Sequence, residues 1–184
     1  MARLIVNAST SQLAIIDVQI KLSAVMQADA MQKVLKNCGI LAQAANLLQV
    51  PIIATEQYPQ GLGETQPEIS QYFGEMKPIV KSAFSACGVP KFNQQLHHDK
   101  PQIILAGMEA HICVLQTALD LLQQGKQVFV VEDAVISRDA NNKNNALARL
   151  SEAGCVITNS ESVLFEWLGD ANHEAFKTLS KLIR

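Results

Sequence analysis

Three residues of complementary chemistry stand at the ends of apolar runs. Asp17 closes LAIID, Lys81 follows PIV in KPIVKSAFSACG, and Cys113 lies in ILAGMEAHICVLQTALDLLQQG, where a strand passes through a turn into a helix beginning at about the cysteine. A thiol there faces unpaired backbone N–H groups and the positive end of a helix dipole, which predicts a lowered pKa and a nucleophile. Each residue also has a plainer reading: Asp17 as a cap that stops the strand, Lys81 as a lysine snorkelling to the surface, Cys113 as a small core hydrophobe. Together they are more informative. A carboxylate about 4 Å from a thiol opposes its ionisation by roughly 4 kcal/mol at an effective dielectric near 20, or about three pK units. An ammonium at a similar distance offsets that, leaving the carboxylate to carry the proton. The trio suits nucleophilic attack on an acyl carbon.

These residues need a scaffold that brings strand ends together. Apolar runs at 13–17, 51–56, 78–80, 102–108, 127–133 and 155–158 alternate with stretches of helical periodicity. Met31, Val34, Leu35, Cys38, Leu41, Ala45 and Leu48 form one apolar stripe. Val114, Ala118, Leu121 and Leu122 form a second, stopped by Gly125, and Ala146, Leu147, Leu150 and Ala153 a third, stopped by Gly154. Two C-terminal helical pieces are expected at about 161–168 and 171–183. Runs without apolar–polar alternation are the mark of a parallel sheet covered on both faces. The expected fold is therefore α/β: a three-layer α/β/α domain, 1–184, on a parallel sheet of about six strands. Ligands of such sheets collect beyond the carboxyl ends of the strands. Asp17, Glu56, Lys81, Cys113 and Asp133 then share one rim.

Composition removes several alternatives. At 184 residues and 48% hydrophobic content the chain is expected to form one domain. A net charge of −2 without a basic cluster, and 5% aromatics, offers little to a phosphate backbone, so no nucleic-acid partner is expected. No apolar run reaches the roughly 18–20 residues of a membrane span, and the first ten residues lack a signal-peptide core. Four cysteines without short paired spacing fit reduced thiols and a cytoplasmic location. Charged residues make up only 17%, which predicts a homo-oligomer that hides surface between subunits.

The sequence IIDVQ, the Lys81–Ser85 stretch KSAFS, GMEAHICV and VEDAVISR resemble, in order and over nearly the whole chain, the isochorismatase-like cysteine hydrolase family. The resemblance implies a Rossmann-like topology and an Asp–Lys–Cys triad at Asp17, Lys81 and Cys113. It also implies a cis peptide between Met108 and Glu109, and an oxyanion hole made by the N–H groups of Glu109 and Cys113. TEQYPQGLGET is similar to the poorly characterised isochorismatase-domain proteins within that family. Nicotinamidases of the family hold a metal through an Asp and two histidines after the second strand. The loop EQYPQGLGET here has no histidine, so no metal and no other cofactor is expected.

Other polar residues carry weaker signals. His97 and His98 read as solvated, and His111 as either a tuner of the pocket or a satisfied turn residue. Cys87 is the rival nucleophile, but without a helix start beside it. Tyr58, Leu62 and Phe84 are candidate contacts for a small-molecule substrate, on a loop that could equally be an inert surface loop. The expected activity is hydrolysis of a small amide or related acyl compound. A metabolite- or oxidant-sensing oligomer with little turnover is the alternative, and vinyl-ether cleavage, as in isochorismatase itself, a third.

Overall fold

The computed structural model describes residues 4–183. Six strands form one all-parallel sheet: β1 (Ser11–Ile16), β2 (Ile52–Gln57), β3 (Ile79–Lys81), β4 (Gln102–Met108), β5 (Gln127–Ile136) and β6 (Val156–Thr158), in the order β3-β2-β1-β4-β5-β6. Alternate residues of the central strands feed two cores. Leu13, Ile15, Ala54, Ile104, Ala106 and Phe129 face α1 (Ala28–Leu47) and α4 (Ser160–Leu168). Ala14, Ile16, Ile53, Ile103, Leu105 and Val130 face α2 (Leu115–Gln123) and α3 (Ala140–Glu152). The result is the expected three-layer α/β/α domain. The predicted stripe of α1 is buried at Met31, Val34, Cys38, Leu41 and Ala45. Among the described residues no helix is long and apolar enough to cross a membrane.

Strand order reverses at β1, which pairs with β2 on one side and β4 on the other. In open α/β sheets such a reversal places the ligand crevice beyond the carboxyl ends of the flanking strands, here β1 and β4. Both strands end in left-handed backbone, Asp17 at φ 55° and Glu109 at φ 54°. Such conformations cost of order 1–3 kcal/mol each for non-glycine residues and persist only where surroundings impose them.

Two expectations need correction. The segment beyond α4 contains only a short helix, Phe176–Leu179. Asp170 Oδ1 accepts the Asn172 N–H at 2.7 Å and His173 Nδ1 accepts the Ala175 N–H at 3.1 Å, so side chains take the donors that a continuing helix would use. The fifth strand runs to Ile136 and does not stop at Asp133. The Asp133 carboxylate instead receives the Ser160 N–H at 2.8 Å and hydroxyl at 2.6 Å, fixing the start of α4.

Gly107 lets β1 and β4 approach closely at the crevice. Its φ is 142°, and a Cβ there would collide with the Ile16 carbonyl oxygen and lie 2.7 Å from the Ile16 nitrogen. Gly107→Ala is expected to lose at least about 2 kcal/mol of stability, read as a lower urea midpoint. An unchanged midpoint would contradict this packing.

Candidate active site

The ends of β1, β2 and β3 build a buried charge pair. Lys81 Nζ lies 2.7 Å from Asp17 Oδ2, with both side chains fully buried. An ammonium has three donors, and here they go to Gln57 Oε1 at 2.7 Å, the Phe84 carbonyl at 3.0 Å and the Ala83 carbonyl at 3.1 Å. Asp17 Oδ2 consequently has a Coulombic partner but no hydrogen-bond donor. Its other oxygen accepts the Thr55 hydroxyl at 2.7 Å. The carboxylate is held at both oxygens, yet Oδ2 has no hydrogen-bond donor and can accept a proton.

Asp17 and Lys81 act on the Cys113 thiol with opposite sign. Burial is the largest influence and Asp17 the next, and together they push the thiol up to about 12, while Lys81 pulls it down. The lowered pKa expected from the sequence is thus corrected. The helical segment starts three residues before Cys113, as a wide π-type turn over Ala110–Val114, and the cysteine is buried within it rather than at its exposed tip. Water no longer supports the thiolate, and the dipole does not replace it.

That wide turn alters the backbone hydrogen bonding before the cysteine. The Glu109 carbonyl accepts the Ile112 N–H at 2.9 Å and the Val114 N–H at 3.4 Å, passing over that of Cys113. No turn or loop hydrogen bond among the described residues uses the N–H of Glu109 or Cys113. The expected cis peptide between Met108 and Glu109 is absent, for the described chain has only trans bonds. The left-handed Glu109, after the unusual φ of Gly107, turns the chain instead. The Glu109 side chain is buried, with Oε1 on Arg138 Nε at 2.6 Å and Oε2 at 3.4 Å from His111 Nδ1. His111 Nδ1 also lies 3.0 Å from the Ser137 hydroxyl, which makes it a turn residue with local partners.

Of the other rim residues, Glu56 is occupied: Oε1 accepts both the N–H and the hydroxyl of Thr65 at 2.7 Å, closing the 57–65 loop. Asp133 is likewise spent on Ser160. Tyr58 and Phe84 are exposed and Leu62 is half-buried. The Tyr58 N–H donates to the Lys81 carbonyl at 3.1 Å, so its loop adjoins the pair, and the Phe84 backbone touches Nζ directly. Cys87 has its pKa raised to about 11 by burial and then by Asp120, with no lysine to oppose them. His97 is exposed, 4.0 Å from Asp99. Among the described residues no group of three or more His, Cys, Asp or Glu side chains is placed to hold a metal.

Sequence reasoning missed Thr55, Gln57, Gln19 and Arg138. Gln19 Nε2 reaches the Gln57 and Gly63 carbonyls at 3.0 and 2.6 Å, and its Oε1 accepts the Gln57 N–H at 2.8 Å. The available signal was polar residues in otherwise apolar surroundings: TEQ at the end of β2, and a glutamine two residues past Asp17.

Comparison with known proteins gives the family of the chain. The Isochorismatase domain model matches residues 11–162. Isochorismatase domain-containing protein 2 of Pongo abelii is 44% identical over 147 residues, 78% of this chain and 69% of that protein. MAR1 ribonuclease from Caenorhabditis elegans superposes with a TM-score of 0.90 at 37% identity, over 97% of this chain and 91% of that one. YcaC from Pseudomonas aeruginosa, solved with hexane-2,5-diol and covalent acrylamide, gives 0.87 at 25% identity, over 100% and 97%. The chain belongs to the isochorismatase family.

A raised thiol pKa has a kinetic signature. Iodoacetamide labelling of Cys113 should climb about tenfold per pH unit from neutrality to pH 9 without levelling off. At fixed pH, Asp17→Asn should label faster and Lys81→Met slower, since the carboxylate raises the thiol's pKa and the ammonium lowers it. A plateau near neutral pH would contradict this ordering.

Proposed function

We propose that the protein is a cysteine amidohydrolase acting on a small amide or related acyl substrate through Asp17, Lys81 and Cys113. The observation that carries this reading is a buried, compensated Asp17–Lys81 pair acting on a neutral Cys113 thiol. The substrate carbonyl lies against the thiol. Cys113 gives its proton to Asp17 as sulfur attacks the carbonyl carbon, and the N–H groups of Glu109 and Cys113 receive the developing oxyanion. Asp17 returns the proton to the leaving nitrogen as the C–N bond breaks, leaving a thioester. It then takes a proton from water attacking that thioester, and the carboxylic acid leaves as sulfur regains its hydrogen. Lys81 remains charged throughout and holds Asp17 in the ionised form to which each cycle returns.

The covalent acrylamide of the Pseudomonas aeruginosa relative supports a reactive nucleophile in a protein of this fold. Tyr58, Leu62 and Phe84 are the proposed substrate contacts. The low charged fraction, with Tyr58 and Phe84 exposed, supports a homo-oligomer, and four free cysteines support a cytoplasmic setting. RNA cleavage is a second reading, favoured by the name of the Caenorhabditis elegans relative. A chain of net charge −2 has little attraction for a polyanion, which ranks it below the amide.

A panel of small amides, ureides, isochorismate and RNA, tested on wild type and Cys113→Ala, separates these readings. Ammonia release that falls at least about 10³-fold in Cys113→Ala is expected. Equal activity of the two proteins on any amide would overturn the mechanism.

A further inference from the structure

A cavity of about 1040 Å³ opens between the N-terminal half of α1 and the segment where β5 passes into α3, and neither Asp17, Lys81 nor Cys113 lines it. Its floor includes Val34 and Ile136, both buried. Its walls carry Lys33, Lys36, Arg138 and Lys143, against two carboxylates, Asp133 and Asp139. The cations of the lining outnumber its carboxylates, although Asp133, with neighbouring Glu132, already acts on Lys143. Asp133 holds Ser160, and Asp139 Oδ1 caps α3 by accepting the Asn141 N–H at 2.8 Å. The ion pairs among the described residues include none of the three lysines. Arg138 gives only its Nε to Glu109, which leaves two terminal nitrogens able to grip a carboxylate.

Backbone charge points the same way. Gln27, the residue before α1, and Asp139 and Ala140 at the start of α3 all line the cavity, so the positive ends of a 20-residue and a 13-residue helix meet there. Lys143 is half-buried, and burial holds its ammonium below the ordinary lysine range against the opposing pull of Glu132 and Asp133, a remaining cost that a further anion would offset.

We infer that this cavity is a second binding site, separate from the thiol, for a small organic anion: a carboxylate on a hydrocarbon or aromatic body. The acid group sits among Lys33, Lys143 and Arg138, and the body lies on Val34 and Ile136. Arg138 is shared with the Glu109 turn that leads to Cys113, so the site adjoins the reactive turn without containing it.

Calorimetric titration at constant ionic strength tests this, with hexanoate as the probe and hexan-1-ol and inorganic phosphate as controls. Hexanoate should saturate one site per chain, and both controls should bind at least about tenfold more weakly, because each lacks either the charge or the apolar body. Lys33→Gln/Lys143→Gln should weaken hexanoate by about tenfold or more, while Cys113→Ala leaves it unchanged. Should the double variant fail to fold, Lys33→Gln alone, at an exposed position, is expected to weaken binding about threefold or more. Absence of saturable binding, as when a second copy of the chain covers the cavity, would overturn the proposal. So would equal affinity in the lysine variants, or loss of binding in Cys113→Ala.

Discussion

Everything at the crevice depends on keeping two opposite charges out of water. Lys81 and Asp17 are both fully buried, and the desolvation of such a pair must be offset by their mutual attraction and by further hydrogen bonds. Gln57 and the Ala83 and Phe84 carbonyls complete the ammonium, and Thr55 holds one carboxylate oxygen. Those partners come from the ends of β2 and β3 and the turn that follows, so the pair also ties three neighbouring strand ends into one unit. The left-handed backbone of Asp17 is the strain this arrangement imposes.

The same burial governs the thiol. A cysteine at a solvated helix tip would be a standing thiolate, but Cys113 is enclosed, beside a carboxylate that disfavours its ionisation. In the proposed mechanism its reactivity is released by proton transfer to Asp17 during attack. Resting neutrality is compatible with strong nucleophilicity in the transition state, where the proposed oxyanion donors would meet the substrate's developing charge. Such a site is guarded against adventitious oxidants and electrophiles, which react with thiolates.

The sheet and its major helices were legible because they rest on periodicity: the α1 stripe and the unbroken runs of β1, β4 and β5 leave few alternatives. Asp17, Lys81 and Cys113 were legible as chemically unusual residues at strand ends, and the family resemblance joined them. Glu56 and Asp133 obeyed the same positional rule, yet each is consumed by a nearby hydroxyl and N–H, which spacing cannot reveal. The thiol's protonation depends on enclosure by distant segments, and the route of the chain at Met108–Glu109 on the close approach of Gly107 to β1. Both are tertiary facts. Thr55 and Gln57 were hidden for a similar reason, since their role lies in what they touch across two strands.

The coupling of Asp17 to Lys81 is the quantity on which this account rests. A double-mutant cycle measured by urea unfolding, with wild type, Asp17→Asn, Lys81→Met and the combined variant, reads it without any substrate. Losing one partner should cost about 3–5 kcal/mol, because the other charge is left buried and unpaired. The combined variant should cost at least about 2 kcal/mol less than the sum of the single losses. Additivity within about 0.5 kcal/mol would contradict a compensated ion pair at the centre of the site.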